Sequence, residues 1–356
     1  MTKIKEVNVW NADLGNTKPY TIAFKTVTEV RNVFVEIILD DGTTGIGSGN
    51  PSEYVVGETI EQSIEALDLR NLEYLAGRDI RELNQLTFET WKNFPDNPSA
   101  RAAVDIALHD AFTKYLGIPL VKYLGQKIRK LPTSNTIGIK NVDETLREAQ
   151  DYIKRGFRVI KVKLGKDLEE DVERVMKLRE KFGNKIVIRI DANQGYTVDQ
   201  TIQFYGRTYD LDVELIEQPL PAKSIAEMKG LPPEVREVVA ADESLITPAD
   251  AIELIKPPKA AGIFNIKLMK CGGISQALKI ADIALHESVD LFWGCNDESI
   301  VSITAALHAA FSCGNTKYID LDGSLDLGND IVKGGFILKE GYMYCSDKPG
   351  LGVERI

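Results

Sequence analysis

From about residue 133 the sequence settles into a repeat that few folds can satisfy: a short apolar run, a polar segment of helix length, then another apolar run. The runs are TIGI (136–139), VIKVKL (159–164), IVIRIDA (186–192), VELIEQP (213–219), VVAADES (238–244), IFNIKLM (263–269), LFWGCND (291–297) and YIDLD (318–322). Helix-like segments such as 142–155, 168–182 and 275–288 lie between them. Strands that alternate with helices make a parallel sheet, because a crossover must carry the chain back to its starting edge. Eight such units predict a closed (β/α)8 TIM-like barrel, somewhat compact for that fold. An open doubly wound sheet is the alternative. It is expected to carry a glycine-rich phosphate loop after an early strand, and the sequence has none.

The flanks read differently. Residues 4–10 alternate weakly, and RNVFVEIIL (31–39) is followed by Asp40-Asp41-Gly42 and TTGIG, a hairpin signal. A helix is expected from an N-cap near Ser99 to just before Gly117, with Val104, Leu108, Ala111 and Tyr115 on one face. Residues 1–125 therefore read as an α+β capping domain and 126–322 as the barrel. Residues 323–356, with a second hairpin signal at Glu340-Gly341, are expected to return to the cap.

Composition narrows the function. The 356 residues carry 43 Lys+Arg against 53 Asp+Glu, a net charge of −10. That balance argues against nucleic acid or an anionic membrane as partner. The four cysteines (Cys271, Cys295, Cys313, Cys345) form no metal-binding or redox spacing, and the start lacks a signal-peptide core. A cytoplasmic location is expected. The three histidines (His109, His286, His308) all fall in helix-like runs, which makes histidine-based catalysis a poor starting point.

The chemistry is written where the runs end. Buried parallel strands are normally apolar throughout. These end in Lys161 and Lys163, Asp191 and Asn193, Glu217, Asp242, Lys267, Asp297, and Asp320 and Asp322. One charge per βα unit forms a ring at the barrel mouth, where barrel enzymes keep their active sites. Any one of these residues alone is an ordinary solvated charge; the recurrence is what carries weight. Asp191, Glu217 and Asp242 lie on three consecutive strands, and three converging carboxylates repel unless a cation joins them. An all-oxygen ligand set without histidine or cysteine suits Mg²⁺ best, with Mn²⁺ as the alternative. Lys163 and Lys267 fall on strands two and six, opposite in a ring of eight. Their amines are thus placed to reach one substrate carbon from two faces. Lys161 shares a side with Lys163, and mutual repulsion with partial burial is expected to lower the lysine pKa values into the range of a general base. Proton removal next to a carboxylate, with Mg²⁺ and Lys161 stabilising the charge, follows from this set. Return of a proton to the opposite face gives epimerisation.

The motifs K-V-K (161–163), D-A-N-Q-G (191–195), E-Q-P (217–219), D-E-S (242–244) and N-I-K-L-M-K-C-G-G (265–273), taken in this order, resemble the enolase superfamily in its muconate-lactonizing subgroup. The resemblance covers nearly the whole chain. It implies Mg²⁺ on Asp191, Glu217 and Asp242 with Lys163 and Lys267 as the acid/base pair. Asp320-Leu321-Asp322 resembles the acidic pair with which dipeptide epimerases hold a substrate ammonium. Asn193, Thr136, Cys295 and Asp297 are expected to line the substrate. Lys25, in segment 14–27, aligns with an arginine that reads an acidic side chain in Ala-Glu epimerases. Segment 47–57, with Tyr54, is a candidate closing loop. The expected activity is that of an isomerase, an epimerase of L-Ala-L-Xaa dipeptides at the α-carbon of the C-terminal residue. N-succinylamino acid racemase and o-succinylbenzoate synthase remain open as alternatives. A homo-oligomer is compatible by analogy with other enzymes on this fold.

Overall fold

The computed structural model describes residues 2–15, 20–21, 26–27 and 29–356. Lys25 lies outside the described residues, as does the side chain of Tyr54.

An antiparallel sheet opens the chain: β1 (Ile4–Asp13), β2 (Arg31–Leu39) and β3 (Thr44–Gly49), in that spatial order. The hairpin at Asp40-Asp41-Gly42 is present, with Gly42 N–H donating to the Leu39 carbonyl. Helices α1 (Leu83–Asn93) and α2 (Pro98–Tyr115) follow. Strand β3 carries glycine at every second position, and a β-carbon at Gly45, Gly47 or Gly49 would run into the α2 backbone. The row is a flat seat for α2, so helix and sheet pack at unusually close range. The N-cap position of helix α2 is Asn97, two residues before the expected Ser99. Pro98 occupies its first turn and the Asn97 side chain makes no capping bond. Instead the buried Glu58 carboxylate accepts from Ser99 N–H (2.7 Å) and Ala100 N–H (3.3 Å). A cap delivered from forty residues upstream leaves no local signal.

The eight predicted runs form eight parallel strands in sequential order: β4 (Ser134–Ile137), β5 (Val159–Lys163), β6 (Val187–Asp191), β7 (Val213–Glu217), β8 (Val239–Ala241), β9 (Ile263–Ile266), β10 (Asp290–Trp293) and β11 (Thr316–Ile319). The first and last nearly close the ring, through a parallel bridge between Thr133 and Ile319 and a bond from Leu321 N–H to Thr133 Oγ1 (2.9 Å). Outside lie α3 (Val142–Lys154), α4 (Leu168–Phe182), α5 (Val198–Thr208), α6 (Pro248–Ile255), α7 (Ile274–His286) and α8 (Ile300–Ser312). The apolar residues of α8 are buried almost along its whole length, as expected of a helix between barrel and cap.

Inside the barrel the side chains form layers. Leu215, Ala240, Ile263 and Phe292 make an apolar layer. The buried Arg189 guanidinium packs on the rings of Phe292 and Tyr318 and bonds Glu214 (2.6 Å) and the Ile319 carbonyl (2.8 Å). The core is therefore filled, and polar space opens only above it, at the C-terminal rim.

The tail pairs β12 (Val332–Gly334) with β15 (Val353–Arg355), and β13 (Phe336–Lys339) with β14 (Tyr342–Cys345) around the predicted turn. Leu351 N–H donates to Asp110 (2.8 Å) on α2, and Arg355 pairs with Glu36 (3.2 Å) and covers the Trp10 ring. All four cysteines are free thiols. Among the described residues no helix is long and apolar enough to cross a membrane.

Candidate active site

A parallel barrel brings every strand's C-terminal end to one rim, so residues spaced by the βα period become neighbours. Lys163 stands beside Asp191, and Asp191 beside Glu217, in strand register. Asp242 follows β8 and Lys267 follows β9. Local backbone fixes their aim. Gln218 (φ 33°) turns sharply after β7. Its side-chain oxygen accepts from Asp242 N–H (2.9 Å) and Ser244 N–H (3.2 Å), while its amide donates to Ser244 Oγ (2.8 Å). The Gln of E-Q-P thus ties the end of β7 to the end of β8. Asn193 (φ 45°) turns its N–H onto Asp191 (2.9 Å) and accepts from the Lys163 amine (3.2 Å).

The predicted charges converge. Lys161, 3% exposed, reaches Glu217 (2.7 Å), Asp320 (2.9 Å) and Asp191 (3.3 Å). Lys163 is 3.5 Å from Asp191, and Lys267 donates to Asp242 (2.7 Å). In the ring, β5 and β9 are four strands apart, so the two lysines come from opposite walls.

Lys161 and Lys267 are not depressed in the way the sequence suggested for the lysines. Burial pushes Lys267 down, but Asp242 and then Glu217 outweigh it and hold the ammonium far above its ordinary value. Lys161 behaves alike: burial opposes its charge, and Asp320, Glu217 and Asp191 together more than restore it. Carboxylates outnumber the like-charged neighbours on which the sequence argument relied. The carboxylates divide. Burial disfavours charge on Asp191 and Asp242, yet Lys161 for the former, and Lys267 with Lys270 for the latter, keep both ionised. Glu217 goes the other way: burial, then the Asp191 charge, push its carboxyl well up.

The residues fit a hard divalent ion. Among the described residues no three His, Cys, Asp or Glu side chains stand in a finished metal-holding group; Lys161 pairs with Asp191 and Glu217, and Lys267 with Asp242. Glu217 Oε1 accepts from Asn265 (2.9 Å), whereas buried Glu217 Oε2 has no directed hydrogen bond even though Lys161 is close. Glu217 Oε2, ion-paired with Lys161 at 2.7 Å, stands with the buried Asp191 and Asp242 carboxylates as an all-oxygen donor set that would suit Mg²⁺.

The remaining predicted residues gather at β4, β10 and β11. Strand β11 ends at Ile319, so Asp320 and Asp322 stand in the following loop and part company. Asp320 turns inward to Lys161. Asp322 accepts Thr136 N–H (2.8 Å) and lies 4.0 Å from the Cys295 thiol. Burial, then Asp320, push the Asp322 carboxyl up to about 7. Burial and the nearby Asp322 keep the Cys295 thiol protonated. Asp297 is half-buried on the same side.

Two participants were not anticipated. Lys270 is 1% exposed and donates to the Asp242 carboxylate (2.5 Å) and to the Asn265 carbonyl (3.0 Å). Its position three residues after Lys267 places both on one face of a helical turn, a signal the sequence did contain. Glu298, 2% exposed, is pushed up to about 7 by burial beside Lys267 and Asp297. Its burial comes from the turn into α8, which no period predicts.

Comparison with known proteins follows the same lines. Residues 5–125 match the family described as mandelate racemase / muconate lactonizing enzyme, N-terminal domain, and residues 144–355 match enolase C-terminal domain-like. The chain is 54% identical to an L-Lys-D/L-Arg epimerase of Desulforapulum autotrophicum, over 99% of this chain and 100% of the relative. It is 49% identical to an L-Lys-D/L-Arg epimerase of Methylococcus capsulatus, over 99% of each chain. A crystal structure of the Methylococcus capsulatus dipeptide epimerase, complexed with Mg and the dipeptide L-Arg-D-Lys, superposes with a TM-score of 0.97 over 99% of each chain. The L-Ala-D/L-Glu epimerase of Bacillus subtilis, at 32% identity, superposes at 0.93 over 99% of this chain and 98% of that one.

Proposed function

The chain belongs to the mandelate racemase / muconate lactonizing enzyme family of the enolase superfamily, and on that premise we propose that it is a Mg²⁺-dependent dipeptide epimerase. The observation that carries the reading is the rim: lysines from opposite walls with three carboxylates between them. Lys163 and Lys267 exchange the α-proton of the C-terminal residue on its two faces. When bound, Mg²⁺ on Asp191, Glu217 and Asp242 supplies Lewis-acid stabilisation of the negative charge that develops on the substrate carboxylate. Lys161, fixed by Asp320 beneath it, adds a permanent positive charge beside that carboxylate. Asn193 orients Lys163.

At the other end of the substrate, Asp322 receives the free ammonium. Asp320 is already neutralised by Lys161, which leaves Asp322 as the carboxyl that gains an ionic partner when a dipeptide arrives. Thr136 and Cys295 hold it from two sides. This pairing has no use for N-succinylated amino acids, which lack the ammonium. The preferred C-terminal side chain is cationic: Glu298, with Asp297 next to it, places an acidic group near Lys267, and two relatives, at 54% and 49% identity, are L-Lys-D/L-Arg epimerases.

The test is deuterium uptake in D₂O with Mg²⁺, on a library of L,L-dipeptides and N-succinylated amino acids followed by mass spectrometry. Uptake is expected at the C-terminal α-carbon of free dipeptides, fastest for lysine and arginine, with that preference reduced in Asp297→Asn. Uptake confined to the succinylated set would remove Asp322 from its role.

A further inference from the structure

The turn that follows Lys267 is held by the cap as well as by the Lys270 bonds to the barrel. Lys267 opens a single helical turn, Leu268–Cys271, whose far end is Gly272-Gly273. Three groups from the N-terminal region grip this turn. Asn50, after β3, donates its N–H to Met269 Sδ (3.0 Å). Arg101 of α2 donates to the Cys271 carbonyl (3.1 Å). Asp105, one turn further along α2, accepts from Ile274 N–H (2.7 Å) and Ser275 N–H (3.3 Å), so a cap-helix carboxylate caps barrel helix α7. The fit is close. Gly272 (φ 84°) and Gly273 (φ 106°) have backbone angles that favour glycine, and a β-carbon on them would strike the Arg101 guanidinium and the Asp105 side chain respectively. Both cap residues are buried, and His109 backs Asp105 at 3.3 Å. Lys163 has a different anchorage: Asn193 and Asp191 hold its amine and Arg174 its carbonyl (3.4 Å), all from the barrel.

We propose that Arg101 and Asp105 are positioning residues for Lys267, so that the cap helix sets the placement of one of the two acid/base lysines and leaves the other untouched. The inference rests on the epimerase reading for its kinetic consequence and on geometry alone for its structural one. Loosening the clasp shifts the turn and with it the stem of Lys267. Misplacement of a reacting group by a fraction of an ångström to an ångström costs on the order of ten- to a hundredfold in rate. That loss falls on one face of the substrate only.

Arg101→Met is the informative variant. It removes a buried guanidinium whose Nε has no partner among the described residues, and an apolar side chain of similar length suits that site, so folding is expected to survive. Asp105→Asn is the second variant; it keeps an acceptor for Ile274 N–H without the charge. Two measurements are made on the full-length, Mg²⁺-loaded protein. In the first, Lys267→Ala and Lys163→Ala assign which dipeptide epimer each lysine deprotonates, and α-proton exchange is then followed for each epimer in the clasp variants. Exchange of the Lys267 epimer is expected to fall about tenfold or more while the other stays close to wild type. In the second, which needs no turnover, a limiting amine-acylating reagent is applied and modified lysines are quantified by mass spectrometry. Lys267 is expected to change labelling rate several-fold, with Lys163 unchanged. Equal loss of both exchange rates, or unaltered Lys267 labelling in both variants, overturns the proposal. Absence of exchange in wild type would instead count against the epimerase reading, and the labelling arm would still decide the clasp.

Discussion

Asp242 is held by two lysines that the geometry separates by task, and replacing each by methionine should expose the division. Lys267 has one acceptor among the described residues, Asp242 Oδ2. Lys270 uses its three donors on Asp242 Oδ1, the Asp242 carbonyl and the Asn265 carbonyl, with its side chain 1% exposed. In Lys267→Met the carboxylate keeps Lys270 and the Gln218-directed backbone, so the stability cost should be about 1 kcal/mol, the value of one hydrogen bond to a charged group that retains a second partner. In Lys270→Met two buried carbonyls and a carboxylate oxygen lose their donor at once, a broken buried pair worth roughly 3–5 kcal/mol. At about 2–4 °C per kcal/mol for a large domain, the first variant should melt within a few degrees of wild type and the second on the order of 10 °C lower. Activity should rank in the reverse sense relative to stability. On the proposed two-base scheme Lys267→Met loses a proton-transferring group and should lower epimerisation by roughly 10²–10⁴-fold while remaining folded. Thermal unfolding by circular dichroism in EDTA and epimer conversion by polarimetry in Mg²⁺ measure the two. Turnover of Lys267→Met within tenfold of wild type would refute the two-base scheme, and equal melting losses would refute the assignment of Lys270 as the fixed partner.

Further consequences can be checked separately. Because Glu217 is pushed up by burial and Asp191, and Lys267 is held protonated by Asp242, binding of Mg²⁺ to these carboxylates should release protons; calorimetry near pH 8 in two buffers of different ionisation enthalpy should show it, and zero net release would contradict it. Asp322 has a raised carboxyl, so its contribution to stability is complete below its ordinary value near 4 and is lost as pH rises through about 7. Asp322→Asn should therefore flatten the fall in melting temperature of the metal-free protein between roughly pH 4 and 7, and parallel curves would count against that burial effect. Glu58→Gln should destabilise the protein by about 1–2 kcal/mol through the lost cap of α2, read by denaturant unfolding; an unchanged midpoint would mean the Glu58 bonds are dispensable.

Much of this architecture was legible because barrel strands and site residues share one period. Lys163, Asp191, Glu217 and Asp242 announce themselves as polar breaks in apolar runs, and the parallel barrel converts regular spacing into adjacency. What the sequence concealed depends on contacts between distant segments. The cap of α2 comes from Glu58, so the nearest plausible residue, Ser99, was the wrong one. Asp320 and Asp322 look like strand partners on one face, but β11 stops at Ile319 and the loop sends one carboxylate inward and the other across to Thr136. The expectation for Lys161 rested on an adjacent amine, whereas the sum over the carboxylates within reach decides its direction. Arg189, inside the apolar run 186–192, fills the barrel floor by packing on Phe292 and Tyr318.

Helix α2 has a bearing on how the molecule is made. Its buried polar groups take their partners from widely separated stretches of chain: Asp110 from Ile46 and Leu351, Asp105 from Ile274, Arg101 from Cys271. During synthesis the helix can settle on its glycine seat at once, but Arg101 and Asp105 must wait for more than 160 further residues to leave the ribosome before they are satisfied. The nascent cap thus carries exposed charge where the finished protein has a buried interface. Such long-range closure slows folding relative to local pairing. It also makes completion of the barrel the event that locks the cap, so that a chain arrested between residues 125 and 270 should be far more open to proteases at α2 than the finished one.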